Sequence, residues 1–497
     1  MKPNPIAKLY LIILTLLCVS PIFAKEDMKT LAPEATENSI IGVCTATSHD
    51  IFISKHYPEK NILRIETFPS LLNMLMYGKT DFVIFDKYLT SFISEKHPEF
   101  EIVNNSLFVD SLGVIFNKTG VKYQQDFNRF ISEFKDSEVY KDMEYRWITK
   151  SGKYDMPEIE TLETGEIFTV AVCSQVPPLC TIVDNKLVGF EVELIKRFAY
   201  EYGYKIKFKD LSFSALINAL SAERVDAVIA AISIKQERKR NFLFSDVYYE
   251  NITQVLALKK DYIDTNKSSH KLGFLTELKN VAYNNLIHDG RYELILSGLW
   301  ITILVSVLSI FFGTILAGVT CYFKMSKYKL LNIIAKIYVI IMRGIPILLI
   351  LLINFYIIFS KTDFTATTIA VISFAMYFGA YVSEMFYTGI RGIDKGQIEA
   401  GLAIGFNKSQ TFIYIVVPQV AKRIMPLYLG ESISTFKMTS IAGYIAVQDL
   451  TKVGDMIRSH TFDAFFPLVA VAIIYFIISY IFVYILKRIA VKAISLK

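Results

Sequence analysis

The sequence is poor in cysteine, histidine and charge, and each shortage excludes a class of function. Of its 497 residues, only 5 are Cys, 6 are His and 20% are charged. The cysteines form no C-x-x-C pair and no H-E-x-x-H segment occurs, so the sequence predicts no metal site and no bound cofactor. A net charge of +6 over this length is too small for a nucleic-acid-binding protein, and we expect no DNA or RNA partner.

Motifs for nucleotide hydrolysis and for covalent catalysis are missing as well. The segment Gly78-Lys79-Thr80 has the ending of a phosphate-binding loop, but Asn73 stands where the first glycine of such a loop is required. No nucleophile accompanied by a base and an orienting group is recognisable. We therefore expect no catalytic residue and no enzyme activity in this chain.

Apolar residues are abundant, at 53% of the sequence, and they are unevenly placed. An apolar run, Leu9–Val19, follows Lys2 and Lys8 and precedes Ala24, in the order typical of a secretory signal peptide over residues 1–24. An uncleaved membrane anchor is the alternative. Both interpretations place the following segment outside the cytoplasm, in the periplasm or on the extracellular side.

Residues 25–260 have the composition of a soluble α/β region, because strand-like runs alternate with segments of helical period. The strand-like runs are Ile40–Val43, Phe82–Phe85, Phe168–Val172 and Ala227–Ile232. From Leu294 onward, apolar stretches long enough to cross a membrane follow one another, which predicts an all-α membrane domain of five transmembrane helices. The predicted spans are 298–323, 334–360, 366–390, 424–447 and 463–486.

Lysine and arginine positions orient these spans. Basic residues follow the first, third and fifth spans, so those ends are predicted to be cytoplasmic. These residues are Lys324, Lys327, Lys329, Arg391, Lys395, Lys487, Arg488 and Lys492. The start of the first span is then outside, in agreement with an exported region before it. The sequence thus predicts a multi-pass protein of the cytoplasmic (inner) membrane of a bacterium.

The segment after the third span, residues 399–418, reads E-A-G-L-A-I-G-F-N-K-S-Q-T-F-I-Y-I-V-V-P and resembles the EAA loop of ABC importer permeases. The positions in register are Glu399, Ala400, Gly405, Ile415 and Pro418, whereas Gly401 stands where a second alanine is usual. We expect a helix over Gly392–Ile404 that ends at Gly405, and a second helix that runs toward Pro418. The resemblance implies that the first helix docks on a separate ATP-binding subunit.

Flanking segments resemble the polar amino acid permeases over nearly all of residues 291–497. They are Gly298–Thr302, Arg343–Pro346, Gly379–Tyr381, Gly396-Gln397 and Lys437–Ser440. Tyr387 and Met438 depart from that family, which usually has Arg and Asp at these positions. Ionisable residues in a membrane span are costly unless paired or hydrated, so Glu384 and Lys437 are interpreted either as pathway residues or as structural ion-pair or snorkelling residues.

Residues 168–256 resemble the first lobe of the periplasmic amino-acid-binding proteins. The matching segments are Pro177-Pro178, Gly189–Glu193, Phe213-Ser214, Asp226–Ser233, Glu237-Arg238, Phe244-Ser245 and Tyr248-Tyr249. The resemblance implies that Arg238 binds the ligand α-carboxylate, a task suited to two parallel guanidinium donors. A surface arginine is the alternative. Further ligand contacts are implied for Ser233, for the carbonyl of Ala231 and for Phe213, which would cover the apolar part of the ligand.

Residues 38–148 resemble the second lobe and return segment of the same proteins, although they come first in the chain. The matching segments are Ile40–Asp50, Gly78–Asp86 and Leu112–Lys118. The resemblance implies that Thr47 and Ser48 cap the ligand carboxylate and that Asp86 accepts from the α-ammonium. The glycines usual beside Thr47 are absent here.

We interpret the two halves as one α/β two-lobed, periplasmic-binding-protein-like domain that is circularly permuted, since both ordinary termini of that fold lie in its first lobe. Two fragments of separate binding domains are the alternative. The predicted domains are 38–148 (second lobe and return segment), 149–166 (linker), 167–260 (first lobe), 261–290 (linker) and 291–497 (permease domain), with the EAA loop at 392–418.

Cys173 and Cys44 stand where some relatives have charged partners for the ligand side chain. We therefore expect both thiols to face the ligand cleft and the ligand to be a neutral or sulfur-containing amino acid. A disulfide between Cys173 and Cys180 is the alternative.

Together these features predict a subunit of an ABC importer for amino acids, which binds its ligand outside the membrane and forms the translocation pathway. Its partners would be a separate ATP-binding subunit and a second permease chain, as a homodimer. The alternative is a ligand-gated channel or membrane sensor with an amino-acid-binding ectodomain. The EAA loop argues against that alternative, because a channel has no use for a helix that docks on an ATPase.

Overall fold

The computed structural model describes residues 28–45, 47–65, 67–150, 155–183, 186–259, 279, 281–287, 290–362, 364–461, 463 and 465–495. These residues belong to two compact units, one formed by residues 1–111 and 249–270 and the other by residues 112–248 and 271–497. The predicted signal peptide and most of the predicted linker 261–290 lie outside the described residues.

The strands all belong to the predicted α/β region. They are β1 Ile41–Cys44, β2 Ile62–Ile65, β3 Phe82–Asp86, β4 Phe100–Leu112, β5 Ile115–Phe116, β6 Glu166–Val172, β7 Thr181–Val183, β8 Lys186–Val188, β9 Tyr204–Asp210, β10 Ala227–Val228, β11 Leu243–Phe244 and β12 Tyr249–Leu258.

Helices fill connections of this region and make up most of the described chain from residue 281 onward. They are α1 Met28–Leu31, α2 Ser48–His56, α3 Phe68–Met76, α4 Lys87–Lys96, α5 Val121–Phe134, α6 Glu138–Glu144, α7 Phe190–Glu201, α8 Phe213–Ser221, α9 Gln236–Lys239, α10 Arg291–Met325, α11 Lys329–Gly344, α12 Ile347–Ile353, α13 Ala366–Arg391, α14 Lys395–Ala403, α15 Lys408–Thr411, α16 Val417–Met438, α17 Leu450–Thr461 and α18 Phe466–Ser495. Segments of 3₁₀ helix occupy Glu59–Asn61 and Thr439–Ile445, and segments of π-helix occupy Tyr145–Thr149, Tyr283–Ile287, Asn354–Ile358 and Phe412–Val416.

The first unit contains a five-stranded sheet in the order β2-β1-β3-β12-β4. β1 pairs in parallel with β2 and β3, whereas β12 runs antiparallel to β3. Alternate residues of β1, Ile41 and Val43, are fully buried with Ile84 and Val255 in its apolar core. Strand β12 comes from the end of the second half of the predicted binding region, so this sheet is completed by a distant part of the chain.

The second unit contains a sheet in the order β11-β5-β10-β6-β9, in which β10, β6 and β9 are parallel and β5 is antiparallel to β10. Strand β5 comes from the return segment of the first half. The strand predicted over Ala227–Ile232 is too long, because β10 ends at Val228. The reason lies at Ala231, whose φ of +50° belongs to the left-handed region that a strand cannot contain.

Within the described part of the chain, four helices are long and apolar enough to cross a membrane, and the count rises to five if one bent pair forms a single span. The bent pair corrects the prediction of an unbroken second span. It consists of α11 and the segment 347–358, which meet at an angle of 110°. Pro346 lies at the break. It has no N–H to donate to a helix, and it holds the preceding residue, Ile345, in an extended conformation. The fourth span also begins earlier than predicted, since its helical segment covers Lys408–Ile445.

Small residues allow the first and third spans to pack closely. A Cβ atom at Gly313 of α10 would lie 2.9 Å from the Ala375 carbonyl oxygen of α13. A Cβ at Gly379 would lie 3.1 Å from the Gly313 carbonyl oxygen. Backbone-to-backbone contact of this kind is common between membrane helices, where small side chains permit a close approach.

Candidate functional site

Most of the ligand-binding residues predicted in the second unit follow the carboxyl ends of its parallel strands. Cys173 follows β6, Phe213 follows β9, and Ala231 and Ser233 follow β10. Because β6, β9 and β10 are parallel, these residues lie at one edge of the sheet, which we call the ligand edge. Ligands of open α/β sheets bind at such an edge.

Arg238 lies in the short helix α9 and reaches back toward the loop after β10. Its Nη1 atom is 3.5 Å from the carbonyl oxygen of Ser233, and its side chain is half-buried. Ser233 is buried and forms an isolated bridge with Leu112. The structure therefore brings two of the predicted ligand residues together, while their role in ligand binding stays a prediction.

Glu191 is an element of the ligand edge that sequence reasoning did not single out, although it lies within the matching segment Gly189–Glu193. Its Oε1 atom accepts a hydrogen bond of 2.6 Å from the Ala231 amide and another from the Tyr248 hydroxyl. The carboxyl group is fully buried, and burial raises its pKa to about 7 against the lowering effect of these two donors. These bonds hold Ala231 in its left-handed conformation and so shape the loop that carries Ser233.

In the first unit, Asp86 ends β3 and lies in a buried polar cluster. One carboxylate oxygen, Oδ1, accepts from His49 Nε2 at 2.8 Å and from Asn251 Nδ2, and Oδ2 accepts from the Tyr88 hydroxyl at 2.8 Å. Burial alone would raise the pKa of Asp86, but the His49 ring and the hydrogen-bond donors hold it below its usual value. A carboxylate has about four acceptor positions, so one position stays open for the predicted ammonium contact.

Thr47 and Ser48, the predicted carboxylate cap, lie at the start of α2. The Thr47 hydroxyl donates to the Cys44 carbonyl oxygen at 2.6 Å and accepts from the Asp50 amide at 3.3 Å, so it is the N-cap of this helix. Ser48 is buried in the first turn. The local role of Thr47 is therefore to begin a helix, and the ligand contact stays a prediction.

The cysteines that the structure describes, Cys44, Cys173, Cys180 and Cys321, are free thiols, so the alternative of a Cys173–Cys180 disulfide is wrong. Cys44, Cys173 and Cys180 are each buried, with no more than 3% of their surface exposed. Burial raises the pKa of all three thiols, to about 11 for Cys173. Among the described residues, no group of three or more His, Cys, Asp or Glu is arranged to hold a metal ion.

The loop predicted to couple to an ATPase forms the helix-turn-helix that the spacing indicates. Helix α14 begins at Lys395, three residues later than expected, because Gly392 still caps α13 and Asp394 accepts from the Gly396 amide at 2.8 Å. The helix ends as predicted at Gly405, whose φ of +95° suits a residue without Cβ. The second helix was expected to run toward Pro418, but Pro418 lies in the first turn of α16.

The two faces of α14 differ. Gly401 packs inward, where a Cβ atom would lie 2.6 Å from Ile415 Cδ1, which explains why alanine is absent here. Glu399 and Ala400 are exposed. The apolar side chains of Leu402 and Ile404 are also exposed, at 42% and 71% of their surface. Exposed apolar side chains at the end of a short surface helix suit a helix-in-groove contact with another protein.

Glu384, a predicted pathway residue, is paired within the membrane helices. It accepts a hydrogen bond from the ammonium group of Lys324 at the end of α10, and Lys324 Nζ lies 4.3 Å from the centre of the Tyr387 ring. Tyr387 stands where relatives have an arginine, so a lysine from the neighbouring helix supplies the positive charge here. This contact favours the structural ion pair among the two interpretations.

Lys437, the other predicted pathway residue, is exposed and lines a groove of about 570 Å³. The groove lies between α16 and α18, and its lining is largely apolar, with the polar side chains of Ser440, Thr451, Tyr475 and Ser479.

Two family models match the chain in the regions just described. Residues 292–496 match the binding-protein-dependent transport system inner membrane component, and residues 168–343 match family 3 of the bacterial extracellular solute-binding proteins. A putative glutamine transport system permease protein of Rickettsia bellii is 33% identical over 204 residues, which are 40% of this chain and 93% of that protein. This chain is an inner-membrane permease of the amino-acid ABC transporter family.

A second relative by sequence agrees with this assignment. The L-cystine transport system permease protein of Bacillus subtilis is 33% identical to this permease over 200 residues, which are 40% of the chain and 85% of that protein. A crystal structure of an amino acid ABC transporter with histidines covers 45% of this permease and 99% of its own chain, at 29% identity and a TM-score of 0.38. Permeases of this family are transport subunits that work with an ATP-binding subunit and an amino acid substrate.

The Lys324–Glu384 pair of the permease leads to a prediction. We expect Lys324→Met and Glu384→Met each to lower the free energy of unfolding by about 3 kcal/mol, because each leaves a poorly solvated charge without its partner. The double variant should recover most of that loss and should also recover amino acid uptake. Melting temperatures in detergent and uptake into cells test both expectations.

Lys327→Met is the matched control, since Lys327 is exposed in the connection after α10 and should have little effect. A double variant that is stable but inactive in uptake would contradict the structural interpretation and assign Glu384 a direct role in passage.

Proposed function

We propose that this permease carries its own amino-acid-binding domain on the outer side of the inner membrane. One chain would then capture the amino acid and form part of the pathway, while a separate ATP-binding subunit hydrolyses ATP. The observation that carries this proposal is that a solute-binding region and a coupling loop occur in one chain. Two predicted ligand residues of the solute-binding region, Arg238 and Ser233, lie together at the ligand edge.

The binding domain is a single, circularly permuted unit in this proposal. Two strand exchanges support it: β12 joins the sheet of the first half, and β5 joins the sheet of the second half. Fragments of two separate domains would each need to complete their own sheet. The return segment also binds the first-lobe region through Trp147, whose indole donates to Glu193 at 2.7 Å.

Two copies of the chain form the membrane pathway in this proposal, and Glu399, Ala400 and the exposed apolar residues of α14 contact the ATP-binding subunit. Lysines and arginines at the ends of the first, third and fifth spans support a cytoplasmic location for α14. The binding region then lies on the opposite side. Native mass spectrometry of the complex should show two permease chains and two ATP-binding subunits.

Ligand binding tests the proposal directly. The full chain in lipid nanodiscs is titrated calorimetrically with each of the twenty L-amino acids. We expect at least one to bind with saturation, and Arg238→Ala to weaken that binding by roughly tenfold or more, because it removes charge-assisted hydrogen bonds to the carboxylate.

Arg240→Ala is the matched control, because Arg240 is an exposed neighbour in the same basic run. Its affinity should equal that of the unaltered chain. A folded chain that binds none of the twenty amino acids would refute the proposed function.

A further inference from the structure

Within the second unit, the region around the ligand edge packs on the membrane helices. Helix α17, which lies between the fourth and fifth spans, packs against β7, and a cavity of about 20 Å³ is lined by Ser174, Arg291 and Met456. A second contact is made by Arg224, whose guanidinium lies 4.1 Å from the centre of the Phe355 ring and donates to the Phe359 carbonyl oxygen. The membrane domain therefore presents side chains to the ligand-binding lobe.

One of these side chains is a lysine whose ammonium group has no hydrogen-bond partner in the part of the chain that the structure describes. Lys452 of α17 is only 4% exposed, and its ammonium nitrogen has no hydrogen-bond partner among the described residues. Its aliphatic stem passes close to Gly443, where an added Cβ would lie 3.4 Å from Lys452 Cβ. A buried ammonium group without an anion is costly, so a site of this kind indicates that an anion belongs there.

The carboxylates nearest to Lys452 are already engaged. Asp449 caps α17 by accepting from the Lys452 and Thr451 amides, each at 3.1 Å, and it also accepts from the Tyr475 hydroxyl at 3.1 Å. On the ligand edge, Asp210 accepts from the Ser174 amide at 2.9 Å and from the Ser174 hydroxyl at 2.7 Å. Neither carboxylate forms an ion pair with Lys452 among the described residues, and its ammonium nitrogen has no hydrogen-bond partner there.

Lys452 lies toward the ligand edge. It is one helical turn before Met456 on the same face of α17, and Met456 shares the cavity with Ser174. Burial raises the pKa of Cys173 to about 11, and the positive charge of Lys452 opposes that rise. Cys173 is the residue that stands where some relatives have a charged partner for the ligand.

We propose that Lys452 of the permease domain receives a carboxylate group of the transported amino acid when the binding lobe is docked on its own membrane helices. This inference rests on the proposed function and adds a residue that the binding region itself does not contain. The carboxylate is either the α-carboxylate or that of an acidic side chain, and both present the same anion to the ammonium group.

The test compares Lys452→Gln and Lys452→Arg with the control Lys361→Gln, because Lys361 is an exposed lysine. The full chains in nanodiscs are titrated with the twenty L-amino acids, including L-glutamate and L-glutamine. We expect Lys452→Gln to weaken binding by about tenfold, whereas Lys452→Arg and Lys361→Gln bind within about threefold of the unaltered chain. In the absence of amino acids, the melting temperature of Lys452→Gln should be unchanged or higher, because a buried unpaired charge is removed.

The outcomes separate the sources of the carboxylate and the two proposals. A loss confined to L-glutamate and L-aspartate assigns the side-chain carboxylate, and a loss for neutral amino acids assigns the α-carboxylate. If Lys452→Gln binds like the unaltered chain while Arg238→Ala does not, only the Lys452 inference is overturned. A lower melting temperature of Lys452→Gln without amino acid also overturns it, since the ammonium would then have a protein partner. If the unaltered chain binds no amino acid, both proposals are overturned.

Discussion

Replacing Glu193 by alanine is expected to lower the free energy of unfolding of the first-lobe region by about 3–5 kcal/mol. The Glu193 carboxylate is fully buried and accepts hydrogen bonds from Arg146 at 3.0 Å, from Arg197 at 2.7 Å and from the Trp147 indole at 2.7 Å. Removing it leaves two guanidinium groups and an indole N–H without their shared acceptor. The change also removes the contact of Arg146 and Trp147 with helix α7.

Trp147 fluorescence during urea unfolding measures this effect, in a Trp300→Phe background that leaves one tryptophan as the reporter. Glu166→Ala is the matched control, because Glu166 pairs with Lys122 at the surface and half of its side chain is exposed. Its unfolding midpoint should stay close to that of the unaltered chain, since surface ion pairs contribute little. Equal shifts for Glu193→Ala and Glu166→Ala would contradict the importance of the buried cluster.

Gly189→Ala is expected to have a similarly large effect, on the order of 4 kcal/mol, for a steric reason. Gly189 has a φ of +138°, and a Cβ atom there would lie 2.2 Å from the Leu179 carbonyl oxygen. The obstacle is backbone, so it cannot move aside as a flexible side chain would. We expect α7, which begins at the next residue, to lose its position, and with it the Glu191 contact that shapes the ligand edge.

Gly203→Ala separates the steric effect from the cost of the backbone conformation. Gly203 has a φ of +75°, and nothing lies within 4 Å of the position of its Cβ. Its replacement should cost only about 1–2 kcal/mol, which is the usual penalty for a left-handed residue that bears a side chain. The same urea titration measures both variants. If Gly189→Ala were as stable as Gly203→Ala, contact with the Leu179 carbonyl oxygen would not be what lowers the stability.

Local patterns predicted much of the fold because local chemistry decides it. The end of α14 at Gly405 follows from the need for a left-handed residue after a helix, and the apolar runs follow from the thickness of a membrane. The break at Pro346 shows where length alone misleads, because the apolar run continues while the chain bends by 110°. At that point the missing N–H of proline interrupts the helix, although the composition remains apolar.

Pairings between distant residues could not be derived from the sequence. Nothing local indicates that Lys324 would bind Glu384, 60 positions away, or that His49 would bind Asp86. Cys173 and Cys180 have a spacing compatible with a disulfide, and only their placement in the fold showed two separate thiols. Glu191 lay within a recognised segment, but its contact with the Ala231 amide depends on how helix α7 packs.

The sequence by itself determined the class of this protein, because apolar run length, basic residues beside the spans and the spacing of the EAA loop are properties of neighbouring residues. Only the tertiary structure decided which charged side chains of the described residues form ion pairs. It gave Glu384 a partner from another helix, and it buried Lys452 beside the binding lobe without an anion. Such pairing depends on which surfaces the packed helices and sheets bring together, and residues far apart in the chain meet only there.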